Sequence, residues 1–180
     1  MYHPTTHAAM QEARNSADDF LMFGYYIRNN IGIAFQTFTG GIAFGVGTLF
    51  FLIYNGVIIG GVAGHLTELG HLNSFYSFVI SHGAFELTGI VMAGAAGFRL
   101  GAALLLPGNQ TRLSALRLAA ARAMPIVYGI ILFLTIAAFI EAFWSSSSNV
   151  PAWLKYVVGV TLWSIVISYL SLAGRSHGSD

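Results

Sequence analysis

Residues 29–67 read NNIGIAFQTFTGGIAFGVGTLFFLIYNGVIIGGVAGHLT, a run with no Asp, Glu, Lys or Arg. Its most apolar part, 31–64, would make a helix of roughly 50 Å at a rise of 1.5 Å per residue. A hydrocarbon core is only ~30 Å thick, so the stretch is too long for one crossing. Tyr54-Asn55-Gly56 lies where a break is needed, and Asn-Gly is a strong turn signal. This reading places one span at 31–53 and a short or re-entrant segment at 56–69.

Two further charge-free runs, 123–140 and 156–174, each suit a single crossing once extended slightly at their ends. The remaining hydrophobic stretch, 75–106, is interrupted by His82, Glu86 and Arg99. The expected fold is therefore all-α and polytopic. It has four full transmembrane helices plus a short or re-entrant fifth segment, with Gly-rich close helix packing. Residues 1–28 form an extramembrane or interfacial amphipathic segment, 29–174 the helical transmembrane domain and 175–180 a polar tail.

Composition agrees with burial in lipid. Of the 180 residues, 56% are hydrophobic and 8% charged, where a soluble domain carries roughly 25% charged. A net charge of +1 with scattered arginines gives no basic surface for nucleic acid. The absence of cysteine removes disulfides, thiolate metal sites and Cys nucleophiles together. Residues 1–28 lack the basic, apolar and small-residue regions of a signal peptide. Within them Met10, Ala13, Ala17, Phe20 and Leu21 fall near one helical face opposite Glu12 and Asp19, as an interfacial helix requires.

Arg112, Arg117 and Arg122 follow the Pro107-Gly108 turn, and Arg175 lies two crossings later. The positive-inside rule places both groups in the cytoplasm. Residues 65–74 and the serine loop 145–149 then face outward. Residues 1–28 are cytoplasmic if 56–69 does not cross, and outside if it does.

Ionisable groups inside apolar spans are costly unless paired, and each is a functional candidate. The intramembrane polar set is His82, Glu86, Arg99 and Glu141. His82 and Glu86 are four apart and share a helical face. That face continues through Gly89, Ala93, Gly97 and Gly101, a small-residue groove that lets another helix backbone approach. Gly56, Gly60 and Gly64 form a second ridge. Helix-to-helix attachment is the plainest role for the pair, with some of the close packing between copies in a homo-oligomer. A proton relay, an ion ligand set or a docking point is the sharper alternative. Arg99 points away from the groove and can snorkel to headgroups.

His82, Glu86 and Glu141 lie towards the outer side, near His65, Glu68 and His71 of the adjoining loop. Imidazole and carboxylate suit Zn or Mn. The spacing does not match the His-Glu-x-x-His motif, so no metal or other cofactor is expected, and His65, Glu68 and His71 are weak candidates. No catalytic set stands out: the serines crowd a loop without a strand-turn-helix elbow, and Ser81 and His82, being adjacent on a helix, point apart.

Five stretches carry a family likeness: MFGYYIRNN at 22–30, FFLIYNG at 50–56, HGAFEL at 82–87, AGAAGFRLG at 93–101 and AAFIEAFW at 137–144. Together they resemble the stage II sporulation protein M family, with the His-Gly-x-x-Glu-Leu segment the most specific part. The resemblance implies a polytopic protein of the bacterial cytoplasmic membrane. It implies a scaffold, not a hydrolase, working beside peptidoglycan-cleaving enzymes in spore formers and associated with MoxR-class AAA ATPases elsewhere. Family members usually carry another span upstream of the stretch at Met1-Tyr2-His3-Pro4, which favours the topology with 1–28 outside. The expected function is thus a non-enzymatic membrane scaffold contacting lipid, copies of itself and such partners. The alternative is a small channel or transporter with a polar path through His82, Glu86 and Glu141.

Overall fold

The computed structural model describes residues 16–173, which are helical with no strand among them. The helices are α1 (Ser16–Thr39), α2 (Val46–Glu68), α3 (Leu72–Leu105), α4 (Arg112–Phe139) and α5 (Ala152–Leu172). A short 3-10 turn, Gly40–Ile42, separates α1 from α2, and α4 runs on into a π-helical turn, Ile140–Ser145. Four helices are long and apolar enough to span a membrane: α2, α3, α4 with its π turn, and α5. The face built on Met10 and Ala13, and the tail 175–180 with Arg175, lie outside the described residues.

The first long run breaks in a different place from the one its Asn-Gly signal suggests. Tyr54-Asn55-Gly56 is continuous helix, and Asn55 Nδ2 donates to the Phe51 carbonyl at 2.7 Å within the same turn. The chain turns instead at 40–45, where Phe44 has φ 55° and Gly45 has φ 86°. Two physical facts select this site. A break at 54–56 would strand backbone N–H and C=O groups inside an apolar span. At 40–45, by contrast, the turn needs glycine both for its left-handed backbone and for close approach. A Cβ on Gly41 would collide with the backbone of Gly97, and one on Gly101 with the backbone of Phe44 and Gly45. Thr48 locks the hairpin, its Oγ1 donating to the Thr37 carbonyl at 2.7 Å.

The segment expected at 56–69 is therefore the second half of a full-length helix, neither short nor re-entrant. With 23 residues, α2 reaches roughly 35 Å at 1.5 Å per residue. The fifth helix is α1, whose Asp18, Asp19 and Arg28 make it less apolar than the other four. It continues without interruption through residues 28 and 29.

The helices alternate in direction. Phe20 and Phe23 near the start of α1 meet Phe143 in the π turn, with ring centroids 5.3 and 5.9 Å apart. At the other end of α1, Gly41 lies against Gly97 of α3. Call the first the serine end, after residues 145–148, and the second the arginine end, where the 107–111 turn leads to Arg112. α1 starts at the serine end, α2 returns to it, and α3, α4 and α5 alternate after that. This is the topology in which 56–69 crosses.

α3 is the axis and packs against every other helix. Its small residues create the room. Leu134 of α4 fills the space beside Gly89, Leu52 of α2 the space beside Gly94, and the Thr37 and Phe38 carbonyls close on Gly97. Ala34, Ala93, Ile130 and Leu134 form the apolar centre where α1, α3 and α4 meet.

Candidate functional site

The serine-end half of α3 is its most enclosed part: Ser81, His82, Gly83 and Ala84 are consecutive buried residues. Helical spacing places His82 above Glu86, and His82 Nε2 lies 3.7 Å from Glu86 Oε2. The Phe78 ring meets the His82 imidazole edge-on at 5.1 Å. On the opposite wall the π turn of α4 buries Glu141, Ala142 and Ser145. The i+5 geometry is written in its backbone, where the Ser146 N–H donates to the Glu141 carbonyl at 3.2 Å. Such turns often mark functional positions.

Across the two walls, Ser145 Oγ lies 3.2 Å from His82 Nδ1. One ligand-type atom from each of His82, Glu86 and Glu141 falls within 4.8 Å of the others. Asn30 of α1, 2% exposed, closes the site beside Glu141. Glu141 is 8% exposed, and its Oε2 has no hydrogen-bond partner. Asn30 Oδ1 accepts from Asn29 Nδ2, and its own Nδ2 is near the Glu141 carboxyl but short of full hydrogen-bond geometry.

The buried cation nearest in the fold is otherwise engaged. Lys155 of α5 donates from Nζ to the Ser145 carbonyl at 2.7 Å and the Ser147 carbonyl at 2.8 Å. It thus satisfies carbonyls at the end of the π turn, where the helix dipole is negative. Its own carbonyl accepts from Ser81 Oγ at 3.2 Å, so Ser81 faces α5 and forms no dyad with His82.

The family profile described as stage II sporulation protein M matches residues 2–146. The chain belongs to the stage II sporulation protein M family. The matched region holds His82, Glu86, Glu141, Ser145 and Asn30 but stops before Lys155. An uncharacterized protein of Methanocaldococcus jannaschii is 29% identical over 79 residues, 43% of this chain and 44% of that protein. The match thus spans under half the length of that curated relative. No solved structure matches the chain. Family membership and four apolar helices together make it an integral membrane protein.

Of the polar residues singled out in this family member, three converge and the others do not. Arg99 is exposed on α3, about 20 Å from Glu86 along the helix at 1.5 Å per residue. His65 and Glu68 lie in the last turn of α2, His71 just before α3, and all three are exposed and outside the cluster. The stripe Gly89, Ala93, Gly97, Gly101 is buried within the bundle, whereas Gly56, Gly60 and Gly64 have nothing within 4 Å of an added Cβ.

Sequence reading missed Asn30, Ser145 and Lys155. Ser145 was hidden in a serine run that reads as loop, because nothing in the sequence shows that the helix extends into it as a π turn. Lys155 had a signal: it is a charge within the last hydrophobic helix. Asn30 is marked only by its place in an otherwise apolar helical face, with Ala34 and Thr37.

Proposed function

We propose that this protein is a non-enzymatic scaffold of the bacterial cytoplasmic membrane. It self-associates through α2 and gathers cell-envelope partners around that assembly, with the 107–111 turn on the cytoplasmic side. The observation that carries the reading is the ridge Gly56, Gly60, Gly64. Inside the bundle, glycines of the 40–42 turn, α2 and α3 bring backbones into contact, as Gly40 does with Gly47 and Gly41 with Gly97. The α2 ridge has the same close-packing chemistry, and nothing among the described residues covers it. Of all residues in α2 only Thr48 is buried. A four-residue glycine repeat on an apolar helix is self-complementary, since two copies can lie ridge to ridge. A second copy is therefore the occupant assigned to it.

The interior supports this over catalysis or conduction. Ser145 touches an imidazole but is 2% exposed, an arrangement that suits packing better than attack on an acyl substrate. Towards the arginine end, the polar cluster gives way to Ala34, Ala93, Ile130 and Leu134, an apolar centre that favours packing over conduction. The family resemblance supplies the partner classes, a peptidoglycan hydrolase or a MoxR-class AAA ATPase.

The natural absence of cysteine makes the test clean. Single cysteines at 56, 57, 60, 62 and 64 would be oxidised in native membranes, and cross-linked partners of the wild type identified by mass spectrometry. Disulfide dimers concentrated at 56, 60 and 64, weakened by Gly60→Ile in a reporter pair, are the expected result. Dimers at none of these positions, with Gly60→Ile leaving the recovered partners unchanged, would remove the proposal.

A further inference from the structure

The site at the serine end has the composition of a metal centre, and its two carboxyl groups have no Lys or Arg partner among the described residues. Two carboxylates, Glu86 and Glu141, and one imidazole, His82, come from two helices and bring their ligand atoms within 4.8 Å of one another. Two of the three residues are more than nine-tenths buried, with His82 at 4% and Glu141 at 8% exposure. Isolated carboxylates in an apolar interior are strongly disfavoured. Yet no Lys or Arg among the described residues pairs with either one: Lys155 is held by two carbonyls, and Arg28 and Arg99 are exposed. A divalent cation would cancel two carboxylate charges with none left over.

We propose that His82, Glu86 and Glu141 bind one divalent transition cation of the Zn2+ class. Three features support this beyond composition. First, Glu141 Oε2 is buried and accepts no hydrogen bond, and a carboxylate oxygen of Glu141 is one of the three ligand atoms gathered within 4.8 Å. Second, the imidazole is set up as a ligand. In the tautomer whose Nδ1–H donates to Ser145 Oγ, the Nε2 lone pair is turned towards Glu86. A metal-bound histidine characteristically gives its other ring nitrogen to such an outer partner. Third, the spacing fits. Ligand atoms at ~2.1 Å from a tetrahedral ion stand about 3.4 Å apart, and His82 Nε2 and Glu86 Oε2 are already at 3.7 Å. A change of Glu141 rotamer would close the remaining distance from the 4.8 Å bound. One nitrogen and two carboxylate oxygens suit Zn2+ or Mn2+ rather than a soft thiophilic ion. Three protein ligands leave a fourth position for water.

The inference does not depend on α2 self-association, and either can fail without the other. It predicts that the ion ties α3 to the end of α4, with Asn30 of α1 beside it.

The test uses the full chain purified in detergent, with metal content read by elemental mass spectrometry. Chelator-stripped protein is then titrated with Zn2+ and with Co2+, the latter for its visible absorption. One ion per chain, Co2+ bands of a four-coordinate site and a rise in melting temperature with Zn2+ are expected. Glu141→Gln and Glu86→Gln should each weaken Zn2+ binding by more than about 100-fold, beyond the ~10–100-fold loss expected of the outer partner in Ser145→Ala. His65→Ala and His71→Ala should bind normally. Should Glu141→Gln not fold, Glu141→Asp serves, with a shifted Co2+ spectrum expected. Folded wild-type protein that takes up neither ion overturns the proposal. So does uptake that survives in the His82→Ala, Glu86→Gln, Glu141→Gln triple variant, which would mark adventitious binding.

Discussion

Ser145 Oγ lies 3.2 Å from His82 Nδ1, a contact that spans 63 positions of chain and joins the π turn of α4 to the enclosed part of α3. Both residues are buried, so neither has water as an alternative partner. Ser145→Ala would remove the imidazole's side-chain partner and lower stability by roughly 0.5–1.5 kcal/mol. Ser148→Ala, at an exposed position in the same run, should change stability by less than about 0.5 kcal/mol. Thermal unfolding of the two variants in one detergent separates them. Equal melting temperatures would mean that the contact contributes nothing.

Hydrophobic length and charge placement made the helical membrane architecture legible in the sequence, because lipid imposes one requirement on every spanning residue. The pairing of His82 with Glu86 was legible too, being a matter of helical spacing alone. The site of the first break was not. Asn55-Gly56 carries the stronger local turn signal, but turn propensities describe chains in water. In this bundle the decision rests with Gly41, Gly97 and Gly101, whose backbone contacts join residues far apart in sequence. The approach of Glu141 to His82 was unreadable for the same reason, since it depends on a π turn and on packing between two helices.

Glycine has opposite consequences at two positions of similar appearance. At Gly97 an added Cβ would lie 2.9 Å from the carbonyl oxygens of Thr37 and Phe38, atoms that cannot rotate away. Gly97→Ala should therefore destabilise the fold by about 1–3 kcal/mol, the usual range for overpacking. Gly60→Ala meets nothing among the described residues and should leave monomer stability within about 0.5 kcal/mol of wild type. Unfolding in detergent dilute enough to keep the protein monomeric checks both. Equal losses at the two sites would contradict the packing described for α3.

Lys155 is buried for a backbone reason. Its ammonium is the donor that the Ser145 and Ser147 carbonyls receive as the π turn ends. Lys155→Met keeps the aliphatic stem and removes the donor, and should cost at least about 1.5–3 kcal/mol, the range for hydrogen bonds to a charged group. Loosening of the turn should also raise amide hydrogen exchange at 145–147. Unchanged exchange there would show that the carbonyls are satisfied without the lysine.

The course of α2 sets the topology of the first half of the chain, and it can be read without a high-resolution structure. If α2 crosses intact, Ala43 and Leu69 lie at opposite ends of the bundle, Ala43 with Asn109 and Leu69 with Ser148. Single cysteines at these four exposed positions should label from opposite sides of sealed vesicles, in those two pairs. By the positive-inside rule, Asn109 near the arginine cluster belongs to the cytoplasmic pair. Val57→Cys distinguishes a crossing from a re-entrant loop. Its side chain is 65% exposed from the bundle but should resist a water-soluble maleimide from either side, because lipid surrounds it. A chain that spanned the membrane at 31–53 and turned at Tyr54-Asn55-Gly56 would instead label at 57, with Ala43 protected in mid-span.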